Sequence, residues 1–420
     1  MQVTSISKFR HWSVLSLLNL FIVSFLGVLL RYKITFSLPV VNYNFVLQAH
    51  SHFAFSGWIS TAIFTSLVYI LFQSGYPIRR IYSFQFCLAQ IASFGMLFSF
   101  SFEGYGVLAI FFSLSFMLFA GWFAFQYWKD ANKSSLPFTV KIWVKAALFF
   151  LVLSCLAILF MAYMEFHHFD IPDLYYSTSY FFLHFQYNGW FTFGVLTLFF
   201  FSVQNIKVRA GEMKTRLFFR LMATACIPAY TLSMLWMNPP LWVFVVATAA
   251  ACLQLVAMLV FLIIVRSTWL HLNILPSQIK LLWGLSFIAL TIKIVLQALS
   301  AIPALGRIAF GFRPVIIAYL HMIMLGFISF FLIGFFIKEK LISACSLVWK
   351  VGLLLFILGV ILNEVLLLAE AISAMNSANW KFGPLLLFFA ESVIFGGALL
   401  MFFSQLHKPF RTPLFSSFQN

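Results

Sequence analysis

The chain has 420 residues, 63% of them hydrophobic and only 9% charged, with a mean hydropathy of +1.02. A water-soluble globule of this length cannot cover so much apolar surface, because a large share of any globule faces solvent. The formal charge of +16 would suggest nucleic acid if it were clustered, but it is spread over short loops, which excludes a nucleic-acid partner and points to a lipid bilayer.

Segments of about 20 apolar residues cross a bilayer at 1.5 Å rise per residue. In chain order the sequence predicts spans near 12–31, 46–73, 81–101, 105–127, 141–164, 179–203, 216–236, 241–265, 281–303, 314–337, 347–369 and 384–404. The expectation is one all-α polytopic domain over 1–420 with about twelve transmembrane helices. Breakers mark the joins: Gly104 and Gly106, Pro137, Pro172, Asn238-Pro239-Pro240, Pro276, Pro314 and Pro384. The first stretch is too long for a signal-peptide core and is read as a helix. No internal repeat is visible by eye. Five cysteines lie scattered in apolar segments without metal-ligand spacing, and they read as small buried hydrophobes.

Lys and Arg set the orientation. Sixteen, from Lys8 and Arg10 to Lys408 and Arg411, fall on the side of the N-terminus, against Arg31, Lys33, Arg307, Arg313 and Lys381 on the other. The N-terminal side is therefore expected to be cytoplasmic, and an even helix count returns the C-terminus there.

The histidines carry the chemistry. His11, His271 and His407 fall in or beside cytoplasmic segments and read as solvated. His167 and His168, with Glu165, Asp170 and Asp173, form an outer loop that can hold a metal only if its ligands are gathered. His50 and His52 enter the second span, His184 the sixth and His321 the tenth. All three spans run inward, so the four imidazoles lie at one level, roughly 6–10 Å below the outer surface. An ionisable group inside lipid faces a bundle interior, pairs or binds something. Imidazole on a helix is a good axial ligand for haem iron. His50 and His52 point to nearly opposite sides of their helix. Small or flat neighbours, among them Gly57, Trp58, Gly189, Trp190 and Gly326, would let a macrocycle approach, and Arg307 and Arg313 are placed to pair with propionates. The bland reading of these histidines is interhelical hydrogen bonding.

Twelve helices with outer-side histidines on spans two, six and ten resemble the catalytic subunit of the haem–copper oxidase and nitric oxide reductase superfamily. The layout is also similar to NnrS-type haem- and copper-containing membrane proteins, which open with a histidine doublet near the second span. The resemblance implies haem b, one or two, ligated by His50 or His52 together with His321, and copper or another non-haem metal at His184. It implies electron transfer, or reduction or sensing of oxygen or nitric oxide, with an electron-donor protein or quinol as partner and a bacterial inner membrane as location. The chain departs from the superfamily at span seven, which lacks the paired histidines and ends Tyr230-Thr-Leu-Ser-Met-Leu-Trp-Met-Asn-Pro-Pro240. A complete copper site is therefore not expected.

Lys293 lies within span nine, with Gln297 and Ser300 on its face. Glu364 beside Asn363 on span eleven and Glu391 on span twelve are its expected partners. These residues carry the alternative reading, an ion- or proton-coupled transporter that relays charge through Lys293, Gln297, Glu364 and Glu391 without haem.

Overall fold

The computed structural model describes residues 2–169, 171–204, 211–269, 272, 275–378 and 380–406. They form helices joined by short turns, with no strand among the described residues. The long helices are α1 Gln2–Thr35, α2 Tyr43–Gln73, α3 Arg80–Glu103, α4 Val107–Lys133, α5 Phe138–Phe166, α6 172–203, α7 Glu212–Met237, α8 Leu241–Trp269, α9 Ser277–Leu299, α10 Arg313–Lys338, α11 Leu347–Met375 and α12 Gly383–Leu406. Eleven of them are long and apolar enough to cross a membrane. The protein is an all-α, polytopic integral membrane protein.

The helix outside those eleven is α6. It has the length of a span, but Gln186, Tyr187 and Asn188 interrupt its apolar run, and every residue from 184 to 201 is buried. A helix enclosed by other helices need not satisfy lipid. Its neighbours in that respect are α2, buried from 56 to 71, and α10, buried from 326 to 337. The remaining nine long helices surround these three.

Local chemistry explains the ends. The Asn42 side chain accepts from the backbone N–H groups of Asn44 and Phe45 at the start of α2, and Ser346 caps α11 through Trp349. Pro172 stands in the first turn of α6, where its missing N–H costs nothing. Gly104, at φ +65°, ends α3, and left-handed Asn238 with two prolines behind it ends α7. Phe9 packs on Tyr69 and Phe72, Tyr69 bonds Glu339, and Gln405 bonds Ser343. The start of α1 and the ends of α2, α10 and α12 therefore share one side, as an even number of crossings requires.

An internal repeat, missed on reading the sequence, becomes plain at the centre. Each central helix widens into a π-helical segment, Ala54–Ser60, Phe185–Phe191 and Met322–Ser329, one or two residues after a histidine. The register is shared: His52, Gly57, Trp58 and Ser60 match His184, Gly189, Trp190 and Thr192, and also His321, Gly326, Phe327 and Ser329. Thr192 donates to the Tyr187 carbonyl and Ser329 to that of Met324, five residues back, which is the spacing a π turn leaves open. Thr61 does the same to Ser56. The matching residues also join α2 to each of the other two central helices. The Trp58 indole donates to Ser329 at 2.8 Å and the Trp190 indole to Ser60 at 3.4 Å. Phe327, the third member, has no N–H to give.

The cysteines are all free. Cys155 and Cys226 are buried, whereas Cys87, Cys252 and Cys345 are on the outside of the bundle, which corrects the expectation of five buried ones.

Candidate functional site

The repeat divides the outer half of the molecule into three clefts, one at each seam between central helices. The residue two places before the shared histidine differs in each copy: His50, Phe182 and Tyr319. That residue meets the preceding copy. Phe182 lies 6.2 Å from Phe55, and Tyr319 lies 6.1 Å from Tyr187; Phe55 and Tyr187 both stand three residues after their histidine.

In the first cleft His50 of α2 meets His321 of α10. Their ring centres are 6.5 Å apart and the planes are inclined by 22°. His50 Nδ1 donates to the Val23 carbonyl of α1 at 3.1 Å, and His321 Nδ1 donates to the Ile317 carbonyl at 2.9 Å. A carbonyl can only accept, so these bonds fix the tautomer and leave both Nε2 lone pairs free. A ring held by Nδ1 with Nε2 free is how proteins prepare a histidine for a metal. Glu391 of α12 adds a third electron-rich group: its Oε1 is 3.9 Å from His321 Nε2. Gly27 of α1 permits this approach, because a Cβ there would lie 3.1 Å from Glu391 Oε2 and 3.6 Å from His50 Cε1. Buried Arg31 reaches Glu370 at 3.8 Å. At the outer rim Arg313 lies over the Tyr43 ring and bonds its hydroxyl, tying α10 to α2 above the pair.

Haem fits this cleft in its donor set. His50 and His321 would hold the iron through their free Nε2 atoms, since each Nδ1 is already spent on a backbone carbonyl. Arg313 and Arg31 are cations at the outer end of the same cleft. Arg307 is not: it is exposed on the short helix Pro303–Gly311, where Phe310 packs on Tyr180 of α6.

The second cleft holds His52. Its ring lies on Phe100 at 4.2 Å, and Nε2 is 3.4 Å from the Tyr105 hydroxyl. The two histidines of α2 therefore serve different clefts, and His52 does not join His321. A cavity of about 310 Å³ opens here, walled by Phe55, Met96, Met117, Leu151 and Phe182 with His52, Tyr105 and Glu165 as polar lining. Tyr105, in the turn between α3 and α4, carried no motif in the sequence.

The third cleft holds His184, which is fully buried. Nε2 donates to the Cys226 carbonyl at 2.8 Å, and Nδ1 accepts from the Asn188 amide at 3.0 Å. Both nitrogens are spent, so His184 has no lone pair for copper; it ties α6 to α7. This corrects its assignment as a metal ligand. Lys293 stands in this cleft too, within electrostatic reach of His184 and Cys226 and 6.0 Å from the Tyr187 ring.

Glu364 and Glu391 lie within electrostatic reach of each other, and Glu391 belongs to the His321 cleft. Neither is paired with Lys293, so the expected relay from lysine to carboxylates is divided between two seams. Among the described residues no three His, Cys, Asp or Glu side chains are already gathered to hold a metal ion. That includes His167 and His168; Asp170, their expected companion, lies outside the described residues, as do His271 and His407. No protein-family model matches the chain, and no curated protein matches it significantly.

Proposed function

We propose that this chain is a haem b protein of the membrane, a one-electron carrier whose iron is held between His50 and His321. The observation that carries the reading is the near-parallel imidazole pair, each ring fixed through Nδ1 to a backbone carbonyl and each with Nε2 free. A haem iron ligated by two histidines supplies a reversible Fe(III)/Fe(II) couple. The protein's part is to orient the rings between α1, α2, α10 and α12, and to set Arg31 and Arg313 against the propionates. If His50 and His321 both held the iron, no protein-free position would be left for a gas, which favours electron transfer over gas reduction. An electron-donor protein or a quinol would supply the electrons; a bacterial inner membrane is the location that the resemblance to the haem–copper oxidases implies, and the loop charges favour both termini on the cytoplasmic side.

The test is a dithionite-reduced minus oxidised spectrum of the purified full-length protein with a pyridine haemochrome assay. One haem b per chain with sharp α and β bands, absent from both His50→Ala and His321→Ala, is the expected result. A colourless wild type, purified folded from cells supplied with haem, overturns the reading.

A second reading is favoured by the 3.9 Å between His321 and Glu391: a single non-haem metal bound by His50, His321 and Glu391, the two-histidine, one-carboxylate set that suits iron(II). It asks Glu391 to move inward, whereas the histidine pair needs no third ligand. Metal analysis separates the two, since non-haem iron without a haemochrome supports the second and excludes the first.

A further inference from the structure

The cavity beside His52, of about 310 Å³, is the size of a small ligand pocket, for which roughly 300–1,000 Å³ is usual. It opens on the side of the membrane where α2 begins. Glu165 stands at its mouth, and Leu151, fourteen residues down α5, lies roughly 21 Å lower at 1.5 Å per residue. The two ends differ in chemistry. The inner walls are Phe55, Met96, Met117, Leu151 and Phe182, whereas Tyr105, Tyr175 and Glu165 line the mouth and are exposed there. Tyr175 lies beside Tyr105 and within electrostatic reach of Glu165. Charge at this mouth has one sign. No lysine or arginine lines the cavity, and Glu165 is in no ion pair among the described residues. In a chain of net charge +16, the flanking stretches 101–108 and 160–180 contain no lysine or arginine and carry acidic residues, Glu103, Glu165 and Asp173 among them. A carboxylate or phosphate head would meet these acids with no cation to receive it. A positive head would meet a carboxylate and the negative faces of two phenol rings.

We propose that this cavity binds one lipophilic organic monocation, an ammonium carried on an aryl or short alkyl body, which enters from the outer side. The ammonium rests at Glu165 beside Tyr105 and Tyr175, and the apolar body extends inward among Phe55, Met96, Met117 and Phe182. Methionine is flexible and polarizable, so the inner walls can adapt to bodies of different shape. Cys155 and Gln186, deeper on the wall, already donate to the Leu151 carbonyl and to Ser154. Selection by charge is therefore made at the mouth. The site shares no residue with the His50–His321 cleft and does not rest on the haem reading.

The probe is benzyltrimethylammonium, followed by saturation-transfer difference NMR on the full-length protein in nonionic detergent. Low salt and pH 8 keep the carboxylates unscreened and ordinary histidines neutral. Saturable transfer is expected in the wild type. Its apparent affinity should fall about fivefold in Glu165→Gln, the worth of one partly exposed ion pair; the position is exposed, and melting temperature serves as the folding control. Ala162→Trp, one turn below Glu165 on the cavity wall, should abolish saturable transfer, with Ile158→Trp in its place if that variant does not fold. Absence of saturable transfer in the wild type overturns the proposal. So does equal affinity in wild type and Glu165→Gln, because the occupant would then be a neutral amphiphile selected by shape. Unchanged transfer in the folded Trp variant overturns it as well, since the probe would then sit on the acidic surface and not in the cavity.

Discussion

Trp58 of α2 donates its indole N–H to Ser329 of α10 at 2.8 Å, and the two residues hold matching places in two copies of one motif. The bond joins residues 271 apart in sequence. With Trp190 to Ser60 it fixes the rotation of α2 against both other central helices, and so aims His50 at one seam and His52 at the next.

Trp58→Phe should cost about 1 kcal/mol, the net worth of one hydrogen bond, because the third copy already places Phe327 at this position. Trp58→Ala should cost roughly 3–5 kcal/mol through the cavity it leaves. Melting temperatures in detergent check both. A Phe variant as damaged as the Ala variant would show that the bond, and not the volume, holds α2 to α10.

His184→Ala should lower stability by about 1–3 kcal/mol, since it leaves the Cys226 carbonyl and the Asn188 amide unpaired in the interior. Haem content should not change. If the variant loses its α band as completely as His321→Ala does, His184 returns to the ligand set.

Much of this was legible in the sequence. Hydropathy marks the spans, and Gly104, Pro172 and the Asn238-Pro239-Pro240 turn mark their ends, because the physics of breakers is local. The common depth of the histidines follows from counting residues along the spans. The repeat was not legible, because its copies fall 132 and 137 residues apart, with few fixed positions and Trp exchanged for Phe and Ser for Thr. The pairing of His321 with His50 and not His52 depends on how α2 is rotated against α10, which no spacing within α2 encodes. Lys293 and the two glutamates looked like partners because each is a lone charge in an apolar run; which seam each faces is decided by packing.

Gly397→Ala tests the closest helix crossing. A Cβ there would lie 2.5 Å from the Phe356 backbone nitrogen and 2.8 Å from the Gly352 carbonyl oxygen, and backbone cannot rotate away. A loss of about 1–3 kcal/mol is expected as α11 and α12 separate. Gly396→Ala, whose Cβ meets nothing within 4 Å, is the neighbouring control and should be neutral. Equal melting temperatures for the two variants would contradict the crossing.

Asp130→Asn probes the opposite end of the bundle. The buried carboxylate accepts from Tyr76 at 2.8 Å, Tyr82 at 2.7 Å and Gln126 at 3.0 Å, with Arg79 at 3.4 Å. An amide turns an NH₂ toward one set of donors and strands Arg79, at a cost of about 3 kcal/mol. Thermal unfolding is the measurement. A change under about 0.5 kcal/mol, the range of an ordinary surface substitution, would mean that the cluster is incidental.

The three clefts share a scaffold and differ at the residue two places before the common histidine: His50, Phe182 or Tyr319. A seam acquires an imidazole pair when one copy's shared histidine faces a histidine offered by the next copy. Whether a seam holds an imidazole pair thus turns on one variable position, used three times. Phe182→His should offer His52 a partner across the existing cavity, so one substitution would confer on a neighbouring seam the pairing that the first seam already has.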